Sequence, residues 1–202
     1  MSEIKNIILD LGGVIIDLDF NKSHDKFREM GLNEISEPLL KSFFDFEAGL
    51  ISKDDLFNAF HNEREGLSED KIIEAWCLLL RELPQHRVDY LSKLGKQYPL
   101  YLLSNTNSLH INYLKERENS KFEKFESSFE KIFYSFEMDS RKPDPIIFEK
   151  LIADLNIKPE ESIFVDDMKE NIETAKSLGF QTWLFDVEKD EIMDLDKVLN
   201  NY

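Results

Sequence analysis

A single cysteine, Cys77, occurs in the 202 residues. One thiol cannot form an internal disulfide, and this usage fits a reducing compartment such as the cytoplasm. Positive charge is also scarce: 25 lysines and arginines face 41 aspartates and glutamates, for a formal net charge of -16. Such a surface repels nucleic-acid backbones and anionic membranes. It disfavours anionic substrates in general, so an anion site here must supply its own local positive charge. No apolar run approaches the roughly 18 residues of a membrane span. The opening MSEIKNIILDLGG does not read as a signal peptide, because acidic residues interrupt its apolar run and no small-residue cleavage site follows. No internal repeat and no low-complexity linker stand out. What is present suffices for a packed interior: 42% of residues are hydrophobic and 12% aromatic. The length allows one core, or a core with a small appended domain.

The run 4–9 is apolar and β-branched and ends at Asp10 and the pair Gly12-Gly13. It predicts a buried strand followed by a tight turn. Similar runs at 100–103, 132–134, 162–165 and 182–185 predict four more strands. The stretch from 19 to 84 differs, because its apolar residues recur at helical spacing, as in Phe27, Met30, Leu39, Leu40, Phe43 and Phe44. Ser52 to Asp55 resembles a capping box with Asp in the place of Glu, and Ser68 caps a helix carrying Ile72, Ile73, Trp76, Leu79 and Leu80. Further helices are expected around Val88, Leu91 and Leu94, over 121–130, and after Asp144, with Pro145 at its first position. Another lies between Asp167 and Gly179. Strands alternating with helices imply an α/β fold, a parallel sheet with helices on both faces. The region 18–85 is then an all-helical insert after the first strand.

In open parallel sheets, ligands sit beyond the carboxyl ends of the strands. Three predicted strands end in polar residues there: Asp10, Ser104-Asn105 and Asp166-Asp167. Each alone also suits a turn or a helix cap. Together they would cluster carboxylates, which repel one another and are costly to bury. A hard divalent cation such as magnesium resolves that cost, because it prefers oxygen ligands and keeps positions open for water and a phosphate oxygen.

Four segments in order, Ile-Ile-Leu-Asp10-Leu-Gly12, Leu-Leu-Ser104-Asn-Thr-Asn, Arg141-Lys142-Pro143 and Phe-Val-Asp166-Asp167-Met-Lys-Glu-Asn171, resemble the four motifs of the haloacid dehalogenase superfamily in its phosphatase branch. The run Leu103 to Asn107 followed by Leu109-His110 is most similar to small bacterial sugar-phosphate phosphatases of the α-D-glucose-1-phosphate type. The resemblance implies a Rossmann-like three-layer core, residues 1–17 and 86–202, and a helical cap, residues 18–85, that closes over the site. It implies Mg2+ as cofactor, Asp10 as nucleophile, and Lys142 as the charge facing the phosphate. Ser104 and Asn105 would bind phosphate oxygens. Asp10, Gly12 and Asp167 would ligate the metal, with Asp166 and Asn171 behind them. In the cap, Phe20, Asn21, His24, Phe44 and Phe46 are candidates to face the substrate. The partner is expected to be a small phosphorylated metabolite, and the chain a monomer or homodimer in the cytoplasm.

One position departs from the family pattern. Most of its phosphatases carry Asp two residues after the nucleophile, and Gly12 stands there. Glycine keeps the carbonyl but supplies no acid for the leaving oxygen, help typically worth about 10²–10⁴-fold. The loss weighs most on poor leaving groups, which favours sugar 1-phosphates over 6-phosphates. Two other readings compete: a 2-haloacid dehalogenase, which uses the Asp nucleophile without magnesium, and a phosphate-binding relative weakened at Gly12. The pair Asp166-Asp167 argues against the first, and the retained Asp10 and Lys142 against the second.

Overall fold

The computed structural model describes residues 3–200. Its centre is a parallel sheet of five strands: β1 (Asn6–Leu9), β2 (Leu100–Ser104), β3 (Lys131–Tyr134), β4 (Ser162–Asp166) and β5 (Gln181–Leu184). The spatial order is β3-β2-β1-β4-β5, all parallel. Every residue of β2 and β4 is buried, which is why these strands read as unbroken apolar runs rather than alternations. The order places β1 between β2 and β4. Asp10 therefore emerges beside Ser104 on one hand and Asp166 on the other, and its N–H donates to the Val165 carbonyl at 2.9 Å.

Successive strand side chains point to opposite faces, so each strand feeds two cores. Ile7, Leu9, Leu102 and Val165 pack with Val88, Leu91 and Phe125 on one face. These come from α5 (Gln85–Leu94) and α7 (Ser120–Glu126), with α6 (Ser108–Glu118) and α10 (Leu195–Leu199) on the same side. Ile8, Leu103 and Phe164 pack on the other face with Phe148 and Leu151 of α8 (Pro145–Leu155) and Ile172 of α9 (Lys169–Ser177). The result is the three-layer arrangement expected from the alternation of strands and helices. Asp144 caps α8 by accepting from the Ile146 N–H, with Pro145 in the first turn as read from sequence. The expected helix over 121–130 is shorter: α7 ends at Glu126. There the Ser127 and Ser128 hydroxyls both donate to the Lys124 carbonyl, offering the backbone an alternative to the next helical turn.

Between β1 and α5 lie four helices, α1 (Phe20–Glu29), α2 (Glu37–Glu47), α3 (Lys53–Glu63) and α4 (Glu69–Cys77). The Ser52–Asp55 capping box is formed, and Ser68 accepts from the Lys71 N–H. Phe27, Phe57, Phe60, Ile72 and Trp76 form an apolar cluster of their own, which Leu109 of α6 joins from the sheet side. Cys77 is buried at the end of α4, where burial pushes its thiol up to about 12. The two chain crossings into and out of this insert pair with each other. Leu18 and Leu80 form an antiparallel bridge, the Asp19 N–H donates to the Leu79 carbonyl at 2.7 Å, and the Arg81 N–H to that of Asp17 at 3.0 Å. Buried Arg87 braces the entry: it donates to the Ile15 carbonyl at 3.2 Å and to Asp17 Oδ1 at 2.8 Å, and both Glu191 oxygens accept from it at 3.2 and 3.3 Å. Among the described residues no helix is long and apolar enough to cross a membrane.

Phe148 is fully buried and meets the Phe164 ring edge-on at 5.2 Å. Phe148→Ala should therefore lower the unfolding free energy by about 3–5 kcal/mol, read from denaturant unfolding.

Candidate active site

The Lys142 side chain, 1% exposed, reaches between two strand ends. Its Nζ donates to Asp10 Oδ1 at 2.8 Å, to Asp166 Oδ2 at 2.6 Å and to the Leu103 carbonyl at 2.8 Å, so all three ammonium donors are engaged. Burial works against this charge, but the neighbouring Asp10 and Asp166 carboxylates outweigh it and hold the ammonium above its ordinary range. Burial also pushes Asp10 up to about 7; Lys142 pulls it down, and the charges of Asp166 and Asp167 push it up again. Asp167 is raised too, by burial and then by Asp166.

Two carboxylates thus share one ammonium, and a third, Asp167, stands close by without a cation of its own among the described residues. Asp10, Asp166 and Asp167 each offer an oxygen, and these atoms lie within 4.8 Å of one another. Hard oxygen donors with surplus negative charge are what a divalent cation such as magnesium needs, so the residues present fit such an ion. Gly13 makes room for the cluster. It sits at φ +78°, and a Cβ there would stand 2.6 Å from Asp167 Oδ2. Gly12 is different: its backbone is not left-handed, and a Cβ would meet only the Leu18 side chain, at 3.1 Å. Leu18 borders the space that an acidic side chain at position 12 would enter.

The supporting contacts fix these groups from behind. Asn105 receives the Lys142 N–H on Oδ1 and donates Nδ2 to the Lys142 carbonyl, both at 2.8 Å, so its amide clamps the backbone that carries the lysine. Asn171 Nδ2 donates to the two Asp166 oxygens at 2.9 and 3.0 Å, and the Met168 N–H to Oδ1 at 2.8 Å. Asp166 is thereby held toward Lys142. Asn171 engages Asp166 in this structure, a contact that its placement one helical turn beyond Asp167 did not specify. Ser104 is buried at the end of β2, beside this group.

The helical insert is fastened close by. Arg141 pairs with Glu47 at 3.2 Å and lies 4.3 Å from the centre of the Phe44 ring. Burial raises the Glu47 carboxyl, and Arg141 pulls it back down. The Ser135 hydroxyl donates to the Glu47 carbonyl at 2.5 Å and accepts from the Thr106 N–H at 3.0 Å. Gly49, at φ +72°, lets the chain pass over the Phe136 carbonyl, which would stand 2.3 Å from a Cβ. Of the insert residues named from sequence, Phe44 covers Arg141, while Phe46 is buried in the insert's own cluster. Phe20 is 57% exposed. It lines a cavity of about 570 Å³ that also touches Gly13 and Asp167. Asn21 is exposed on α1, and His24 lines a separate cavity with Phe27 and Leu32. Glu47, Ser135 and Arg87 were not singled out from sequence. Their partners lie 88 to 104 residues away or come from another layer, so no local pattern marks them.

A parallel α/β sheet that gathers a lysine and three carboxylates at its carboxyl edge, with helices inserted after the first strand, defines a hydrolase architecture with a name. The family model for haloacid dehalogenase-like hydrolases matches residues 4–179, and the chain belongs to that family. It is 33% identical over 206 residues to the D-ribitol-5-phosphate phosphatase of Bacteroides thetaiotaomicron, covering 98% of this chain and 100% of that one. A crystal structure of a family enzyme from the same organism, in complex with magnesium and inorganic phosphate, superposes with a TM-score of 0.84 at 34% identity, covering 93% of this chain and 96% of that one. A HAD-like hydrolase structure from Porphyromonas gingivalis gives a TM-score of 0.90 at 33% identity, covering 98% of each chain.

Removing the lysine leaves buried carboxylates without their counter-charge. Lys142→Met should cost about 3–5 kcal/mol of stability, measured by denaturant unfolding in the presence of a chelator.

Proposed function

We propose that the protein is a magnesium-dependent phosphatase of small sugar or polyol phosphates, working through an aspartyl-phosphate on Asp10. The observation that carries this reading is the buried cluster of Lys142 with Asp10, Asp166 and Asp167. The family membership and the magnesium and phosphate bound by the Bacteroides structure support it.

In this reading an Asp10 oxygen attacks phosphorus, and the bond from phosphorus to the alcohol oxygen breaks. Water then attacks the phosphoaspartate, releasing inorganic phosphate and restoring the carboxylate, so one hard displacement becomes two easier ones. Lys142 offsets the repulsion between Asp10 and the incoming dianion, and Asp166 keeps that ammonium aimed. Ser104 and the Asn105 backbone hold phosphate oxygens at the end of β2. Asp10, Asp167 and the Gly12 carbonyl would hold magnesium, which when bound neutralises phosphate charge. Position 12 lends no proton, so the leaving oxygen takes its proton from another source.

Two observations bear on the ester. The Bacteroides relative is named for ribitol 5-phosphate, a primary ester of an open-chain polyol. That supports an open-chain polyol or sugar phosphate as the first choice. The missing acid at Gly12 supports a good leaving group, and so favours hexose 1-phosphates among the cyclic esters. The insert, α1 to α4, would act as the cap that closes on either.

Chelation should abolish turnover and added Mg2+ restore it, whereas a dehalogenase would be indifferent to both. Asp10→Asn should lower kcat by about a thousandfold or more on any ester, 4-nitrophenyl phosphate included. Retention of that turnover in the variant would remove the nucleophile from the scheme. Across the hexose esters, kcat/KM should be higher for glucose 1-phosphate than for glucose 6-phosphate. The reverse order between the two hexose esters would defeat the leaving-group argument.

A further inference from the structure

Two buried polar atoms near the site have no partner. Asn107 is 0% exposed and His110 is 4% exposed, yet Asn107 Nδ2 and His110 Nε2 make no hydrogen bond. A buried polar atom left unpaired is costly, by roughly the loss of one hydrogen bond or more, and such groups in a native fold call for an explanation.

Their orientation is set by local structure. Asn107 is the N-cap of α6, and its Oδ1 accepts from the His110 N–H at 3.0 Å. With the oxygen committed to the cap, the amide nitrogen is left over as a donor. The Trp76 backbone beside the His110 ring favours the protonated form, and so an N–H on the ring nitrogen that faces it, against the larger effect of burial. That leaves Nε2 as a bare acceptor in the neutral ring, and burial keeps the ring neutral by pushing it down to about 4. One donor and one acceptor, three residues apart on the first turn of a helix, remain unused.

Their location is at the boundary between sheet and insert. The Trp76 ring of α4 meets the His110 ring edge-on at 4.8 Å, and Leu109, between the two residues, packs into the insert's cluster. The same loop begins at Ser104 and Asn105, which the proposed function assigns to the phosphate. Three residues of chain span at most about 10 Å, so Asn107 lies within the length of a small phosphorylated alcohol.

We propose that Asn107 and His110 form a subsite that reads a hydroxyl of the leaving alcohol. A hydroxyl is the one common group of a sugar or polyol that satisfies both atoms at once: it donates to the bare imidazole nitrogen and accepts from the amide. A carbonyl could serve only Asn107, and an ammonium only His110. The subsite selects hydroxylated alcohols over plain ones, because an ester without that hydroxyl leaves both groups unpaired in a closed seam. It rests on the phosphatase reading and specifies what that phosphatase recognises beyond the phosphate.

The test compares kcat/KM for ribitol 5-phosphate with that for 4-nitrophenyl phosphate, which carries no alcohol hydroxyl. His110→Phe removes the acceptor, and Asn107→Asp keeps the cap oxygen while removing the donor. Each variant should lower the ratio of the two kcat/KM values by about tenfold. An unchanged ratio, with both esters slowed alike, would show that the pair holds a resident water or serves packing, and would overturn the subsite. For a variant that fails to fold, the wild-type enzyme decides: removing hydroxyls from the polyol ester one at a time should cost about tenfold at one position, and no loss at any position rejects the idea. Wild-type protein inert on both esters with Mg2+ would instead refute the phosphatase reading itself.

Discussion

The contact on which the rest of the structure depends is the ammonium of Lys142, buried and shared between Asp10 and Asp166. A lysine in an apolar interior is unstable unless carboxylates attend it, and carboxylates crowded at a strand edge are unstable without a cation. Each half therefore requires the other, and the parallel sheet brings them together. β1 lies in the middle of the sheet, so its last residue has neighbours from two strands rather than one. The chain delivers the lysine from the loop after β3, and Asn105 grips that loop through its backbone rather than through the charge. The peptide units thus fix the loop, and the ammonium spends its donors on the two carboxylates and the Leu103 carbonyl.

Much of this was legible in the sequence. The five apolar runs appear as strands, most clearly in β2 and β4, where burial on both faces demands continuous apolar side chains, while the edge strands β3 and β5 are only partly covered. The caps at Ser52, Ser68 and Asp144 were readable, because a cap is a local bargain among neighbours. The sheet rule placed Asp10, Ser104-Asn105 and Asp166-Asp167 at one edge and the family likeness added Lys142, but the likeness set Asp166 behind the metal ligands and neither foresaw its ion pair with Lys142. The extent of α7 escaped notice: Phe122, Phe125 and Phe129 keep helical spacing, yet two serine hydroxyls end the helix before the third. Contacts such as Arg87 with Glu191, or Ser135 with the Glu47 carbonyl, join segments that carry no signal of one another.

The acidic composition and the site pull in opposite directions. A chain with a net charge of -16 repels the dianion it is proposed to bind. Burial resolves the conflict, because surface charges act through water and salt while Lys142 acts at contact distance in a medium that screens little.

The paired crossings between sheet and insert have a mechanical consequence. Leu18 and Leu80 run in opposite directions side by side, tied by the hydrogen bonds of Asp19 and Arg81. A two-stranded ribbon bends readily across its flat side, whereas twisting or shearing one strand past the other breaks its rungs. At this crossing the four helices are therefore held against swivelling, and the Arg141–Glu47 and Ser135–Glu47 contacts hold them at a second point. Because Leu18 also borders the space a side chain at position 12 would fill, the crossing that fastens the insert and the turn that follows Asp10 share one piece of packing.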